Sequence, residues 1–335
     1  MILEETRMNS RQDLFDRLRL LIRPIRERKH DLHMSDVLPL EPSSEPHETF
    51  KEIATRIARA GRQDNPAAVV FMMGAHVIRA GVQRYLIDLM ERRLISCLAM
   101  NGAGVIHDFE TSLIGATTES VSTYIKDGRF GLWRETGRIN DIVSDGYDRG
   151  MGLGESVGRV IEEEGFPHKD ISLLAHAYRL GIPATVHVGI GYDIVHEHPN
   201  CNGAAYGATS YTDFLRFARV LENLDRGVVM NFGSSVMAPE VFLKALAMAR
   251  NVAGQEGRSI VDFAALVCDL KPLPSDYGNE PHRNQPDYYF RPWKTMLVRT
   301  TKDGGKSFYV QGDHRETVPH LWTAVVKETT RSEGE

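Results

Sequence analysis

Six short apolar runs, separated by stretches with helical periodicity, constrain what this chain can fold into more than any other feature. They fall at residues 67–73 (AAVVFMM), 94–100 (LISCLAM), 182–190 (IPATVHVGI), 227–232 (GVVMNF), 259–268 (SIVDFAALVC) and 296–299 (MLVR). Such runs suit strands covered on both faces, where both sets of alternating side chains must be apolar. Between them, residues 81–93, 171–180 and 239–251 repeat apolar side chains at the helical period, with Val82, Leu86, Leu89 and Met90 on one side of the first. Strand and helix in alternation predict an α/β fold, a mostly parallel Rossmann-like sheet with helices on both faces.

The N-terminal residues read differently. Residues 13–28 (DLFDRLRLLIRPIRER) predict an amphipathic, basic helix broken by Pro24, and 41–46 (EPSSEP) a linker. The expected organisation is an N-terminal helical arm and linker over 1–45, packed on the body or on a neighbouring subunit, and one α/β domain over 46–330. Lys and Arg number 40 against 45 Asp and Glu, and the net charge of −5 argues against a nucleic-acid partner. No apolar stretch approaches the ~20 residues a membrane span needs, and the acidic start lacks the layout of a signal peptide. Cys97, Cys201 and Cys268 are scattered and form no CxxC pair, which predicts reduced thiols and a cytoplasmic protein.

In a parallel sheet, ligands collect at the carboxyl ends of the strands. Four predicted strand ends carry small residues: Gly74-Ala75-His76, Asn101-Gly102-Ala103-Gly104, Gly189-Ile190-Gly191 and Gly233-Ser234-Ser235. Glycine lets a ligand approach the backbone, and a following helix N-terminus favours phosphate, so the set points to a large anionic ligand such as a dinucleotide. Tight strand-to-helix turns also want glycine for their own sake. The Gly-x-Gly pairs at 102/104, 152/154 and 189/191 lack the third glycine of the dinucleotide fingerprint, and no Walker A or Gly-x-Ser-x-Gly sequence occurs.

Two further segments concentrate chemistry. Asp193, His196, Glu197 and His198 lie together and suit a polar substrate pocket, a metal site completed from afar by a group such as His314, or structural hydrogen bonding. Near the C-terminus, Tyr288, Tyr289, Phe290 and Trp293 crowd around Lys294. A lysine held among aromatic rings is partly desolvated, and the neutral amine this favours is what imine chemistry requires. The alternative is a surface lysine flanking a strand.

These loops, in this order, resemble the deoxyhypusine synthase family and its homospermidine-forming bacterial relatives, from about residue 65 to residue 327. The family's Pro-Asp-Glu-Ala-Val-Ser-Trp-Gly-Lys stretch aligns with Pro286, Asp287 and Lys294, the last in place of the imine-forming lysine. Its Thr-Ala-Gly-Gly-Val turn aligns with Asn101, Gly102, Ala103, Gly104 and Val105, followed by Asp108. Its Ser-Asn-Leu-Ile loop aligns with Ala75, His76, Val77 and Ile78, after Gly74. Its Gly-Asp-x-x-x-x-His pattern aligns with Asp193 and His198, and its triple-glycine loop with Gly233, Ser234 and Ser235. The family's histidine base falls on Pro239, leaving Glu240 or His198 to serve, and its substrate-binding Glu and Trp fall on Tyr288 and Pro292, next to Trp293.

The resemblance implies an NAD-dependent aminoalkyl transferase acting on a polyamine such as spermidine through an imine on Lys294. The acceptor would be a protein lysine or a diamine. NAD would lie along the loops at Gly74, Asn101 and Gly233, the amine would meet Asp193, Tyr288 and Trp293, and the assembly would be a homotetramer. No resident metal is expected. The alternatives are a metal-dependent hydrolase at Asp193, His196 and His198, or a non-catalytic relative that binds a nucleotide or amine.

Overall fold

The computed structural model describes residues 14–61 and 66–333. Six parallel strands form the central sheet: β1 (Val69–Met73), β2 (Cys97–Asn101), β3 (Ala184–His187), β4 (Val228–Phe232), β5 (Ala264–Asp269) and β6 (Lys306–Gln311). Their spatial order is β3-β2-β1-β4-β5-β6, every neighbouring pair parallel. This is the 3-2-1-4-5-6 order of doubly wound dinucleotide-binding sheets, with its topological switch point between β1 and β4.

Helices cover both faces: α1 (Glu48–Gly61), α2 (Gln83–Glu91), α3 (Gly102–Ile114), α4 (Leu173–Leu180), α5 (Gly203–Leu221), α6 (Met237–Gln255) and α7 (His314–Glu333), with others between. Alternating side chains feed two cores. Phe71, Met73, Leu98, Met100, Met230 and Phe232 point to the face of α1, α2, α3 and α7. Val70, Met72, Ala99, Val229, Ala265 and Val267 meet Phe217 and Leu221 of α5 and Phe242 and Leu246 of α6. Both faces are dry, which is why the runs of β1 to β5 read as apolar without a break.

Two expectations of secondary structure fail. Residues 296–299 belong to a helical turn, Pro292–Arg299, that lies on the α6 face with Trp293, Met296 and Leu297 buried. A short apolar run does not distinguish strand from buried helix, and Pro292 in the first turn was the signal for helix. The sixth strand is Lys306–Gln311 instead, a half-exposed edge whose mixed polarity hid it. Residues 14–28 hold only two short 3-10 turns, Arg17–Arg19 and Ile25–Glu27, with extended backbone at Leu20 and Pro24. Asp13 lies outside the described residues. Leu14, Leu18 and Leu21 stay exposed, and an apolar stripe with nothing to pack on does not hold a short helix in water.

The segment is nonetheless tied to the body. Its residues Leu32–His33 pair antiparallel with Ala116–Thr117 beyond α3, and Arg28 forms a buried bidentate ion pair with Glu110 at 2.9 and 2.7 Å.

Candidate ligand clefts at the strand ends

The switch point is closely packed. A Cβ on Gly74 would lie 2.5 Å from the Gly233 carbonyl oxygen, and one on Gly233 would strike His314. Gly233 also has φ +66°, where L residues are strained. Asn231, at the end of β4, pins the loop: its side chain accepts from the Ser234 amide at 3.1 Å and donates to the Ser234 carbonyl at 2.9 Å. Ser234 is buried and caps α6 through the Ala238 amide, so of the predicted trio Gly233 and Ser235 face the adjacent cleft and Ser234 does not.

That cleft, of about 450 Å³, opens beside the first turn of α7 and is lined by His76, Arg79, Gly233, Ser235, His314 and Arg315, with Asp269 and Asp313 at its wall. Asp313 is spent on the Arg315 amide (2.8 Å). Arg315 bonds the carbonyls of Asp36 and Ala80. Burial lowers the pKa of His76 and His314, disfavouring the charged imidazolium of each. A 20-residue helix presenting its amino end beside an arginine favours an anion.

A second cleft, of about 430 Å³, lies over α3, and Arg79 lines both. Asn101 caps α3 by accepting from the Gly104 amide at 3.1 Å. Asp193 presses its carboxylate against Gly102, where no Cβ would fit. Burial alone pushes the Asp193 carboxyl up to about 6. A carboxylate at the amino end of α3 opposes phosphate there and favours a cation, so the turn at Gly102, Ala103 and Gly104 is unsuited to the pyrophosphate expected of it. Burial and the negative charge of Glu119 push Glu197 up to about 7. Glu119 accepts from the Trp133 indole (2.9 Å) and the Gly131 amide (3.0 Å). For Glu110, burial works to raise the pKa, but Arg28, Thr136 and Thr117 outweigh it and hold the carboxyl below its usual range.

Lys294 is buried, with Nζ 3.5 Å from the centre of the Tyr288 ring. Nearby carboxylates are engaged elsewhere: Asp287 with Lys271 at 2.8 Å, Glu280 with Arg299 at 2.6 Å, Glu240 with Arg291 at 2.8 Å and with Lys244. The turn that carries Lys294 meets β4 through Met296, whose sulfur lies 3.5 Å from Asn231 Nδ2. Lys294 lines neither cleft.

Several expected site residues have other work. Asp108 is wholly buried and accepts from Ser172 Oγ (2.5 Å) and the Leu173 and Leu174 amides (2.7 and 3.2 Å), capping α4 rather than facing a cofactor. His198 sits against Gly137 with Nε2 2.8 Å from the Gly131 carbonyl, so it is a packed structural histidine rather than a base. The hydrogen bond from Lys244, with Arg291 and Lys294 beside it, holds Glu240 below the usual carboxylate range and makes it a poor proton acceptor. Trp293 is a core side chain whose indole donates to the Tyr277 carbonyl at 2.8 Å, and Ala75 is buried in the turn after β1.

His196 Nδ1 accepts from the Gly191 and Asp193 amides (3.2 and 3.3 Å), so its ring and that of His198 serve different backbone groups. Among the described residues no three of His, Cys, Asp and Glu gather as metal ligands. Arg28, Arg79, Glu119 and Arg315 escaped the sequence reading; Arg28 and Glu119 had no local motif to betray them.

No protein-family model matches the chain. Two curated proteins, each named deoxyhypusine synthase-like protein, are similar to it over 245 residues, 64% of this chain and 68% of theirs. The one from Chlorobaculum parvum is 23% identical and the one from Chlorobaculum tepidum 22%. The resemblance expected from the loops is thereby borne out. Among solved structures, a conserved protein of Methanococcus maripaludis S2, provisionally described as LOR/SDH, aligns with TM-score 0.49 and 14% identity, covering 88% of this chain and 72% of that one.

Proposed function

We propose that this chain, similar to deoxyhypusine synthase-like proteins, is an NAD-dependent transferase of aminoalkyl groups that uses Lys294 as its nucleophile. The observation that carries the reading is Lys294 itself, a buried amine held on an aromatic ring while the neighbouring carboxylates pair with other cations. The dinucleotide would lie in the cleft at the switch point. Arg315 and the first turn of α7 would meet its phosphates, and Gly233 leaves the loop after β4 without a side chain. Bound there, NAD would take up and return the hydride exchanged with the carbon beside an amine nitrogen.

This chain's own groups supply the rest. Asp193 pairs with an ammonium group of the amine, since a buried cation needs a charged partner. Lys294 Nζ adds through its nitrogen lone pair to the carbon–nitrogen double bond of the oxidised amine. Expelling the original nitrogen as an amine leaves the aminoalkyl group on Lys294 as an imine. An acceptor amine, on a diamine or a protein lysine, reverses that exchange and regenerates Lys294.

Borohydride treatment after incubation with NAD and spermidine tests the scheme. The expected result is a mass gain of one aminoalkyl group on Lys294. In Lys294→Ala transfer is lost while NAD still binds, and unchanged turnover would remove Lys294 from the mechanism. The homotetramer implied by the resemblance would cover the exposed Leu14, Phe15, Leu18 and Leu21; light scattering from the purified chain checks it. A second reading, a non-catalytic amine or nucleotide binder, is favoured by the absence of Lys294 from both cleft linings. NAD binding without any trapped adduct would select it.

A further inference from the structure

The cleft over α3 holds two charges that the protein itself leaves uncompensated. Four carboxylates line it: Asp31, Glu110, Glu119 and Asp193. Glu110 is neutralised by Arg28 inside the wall. Glu119 is held by Trp133 and Gly131, and Asp31 stands at the solvent rim. Asp193 is buried, its side chain accepts from the His196 amide in a capping box, and it forms no ion pair among the described residues, burial being the sole cause of its raised pKa. On the cationic side, Arg28 is consumed by Glu110, whereas Arg79 pairs with no carboxylate among the described residues. Its Nη1 lies 3.2 Å from His76 Nε2, and its Nε is enclosed without a hydrogen-bond partner.

Arg79 and Asp193 line one cavity and do not form an ion pair with each other. Ile106, Phe130 and Ile194 supply apolar wall around them. Both charges are satisfied by a ligand with a negative group at one end, a positive group at the other and methylenes between. A plain polyamine pairs with Asp193 but sets its remaining cations against Arg79.

We propose that this cleft binds a diamino acid, its carboxylate on Arg79 and an ammonium group on Asp193. The proposal rests on the transferase reading for its amine chemistry but sets a diamino acid in place of the polyamine, and it is tested by binding alone.

Calorimetric titration of the full chain with L-lysine, cadaverine, L-ornithine and putrescine compares two amino acids with their decarboxylated counterparts. Each amino acid is expected to bind at least about tenfold more tightly than its diamine, the worth of one charge-assisted bidentate contact. Arg79→Gln should erase that difference and Arg79→Lys should keep part of it, while Asp193→Asn weakens amino acid and diamine alike. An unchanged thermal midpoint verifies folding of each variant.

Equal affinity for amino acid and diamine in the native chain, or no binding of any of the four at millimolar concentration, overturns the proposal. So does an Arg79→Gln variant that loses NAD affinity but keeps the discrimination, because Arg79 would then serve the cofactor's phosphates. Discrimination without a trapped adduct on Lys294 removes the transferase reading and leaves the diamino-acid site standing.

Discussion

Asp213, on α5, is wholly buried, and one of its carboxylate oxygens accepts from the Gly154 amide (3.0 Å) and the Val186 amide (2.9 Å). Its other oxygen is enclosed and unpartnered. Burial is the main cause of a carboxyl pKa pushed up to about 7. An acid raised in the folded state binds more protons folded than unfolded between its two pKa values. Stability contributed through Asp213 is therefore greatest below roughly pH 4, the unfolded value, and is lost as pH rises to about 7. The loss integrates to ~4 kcal/mol. Asp213→Asn keeps an oxygen for both amides and removes the proton. Its thermal midpoint should vary less between pH 5 and pH 8 than that of the native chain, and parallel curves would assign the dependence elsewhere. None of this was visible in sequence, where Asp213 is one acid on an amphipathic helix. The same is true of Asp108, whose partners at 172–174 lie 64 to 66 residues along the chain.

Among the elements, the inner strands were legible because burial on two faces writes an unbroken apolar run. Edge strand β6 and the turn Pro292–Arg299 were not, since a half-exposed strand and a short buried helix each lack a distinctive period. The loop after β4 shows what glycine patterns carry and what they do not. Small residues there were read as room for a ligand, yet Gly233 is also required by its positive φ and by His314. Gly233→Ala should cost about 1–2 kcal/mol from the left-handed backbone alone. Displacement of His314 should add weaker dinucleotide binding; denaturant titration and NAD titration measure the two effects. Inside β1 and β4, Phe71 and Phe232 stack at 4.7 Å with no exposure to solvent. Phe71→Ala should lower stability by about 3–5 kcal/mol.

For the whole molecule, the alternation of strand and helix predicted the architecture, but the strand order depends on pairings between distant segments that no local pattern records. The same limit applied to the arm. Its composition predicted an arm packed on the body or on a neighbouring subunit without saying where, and the structure carries Arg28 to Glu110, 82 residues along the chain, and sets Asp31 at the mouth of the same cleft. Truncating one partner of that buried pair is expected to be costly: Arg28→Ala should destabilise by about 3–5 kcal/mol. Changing Arg28 and Glu110 together to apolar residues should recover much of the loss, a difference that paired denaturation curves would resolve.

There is a temporal side to this arrangement. Synthesis delivers Arg28 of the arm first, and the carboxylate it must find is not made until 82 residues later. At roughly 5–20 residues per second, that is an interval of about 4–16 s. Throughout it a basic, leucine-bearing segment travels without its counterpart, at the mercy of chaperones and proteases.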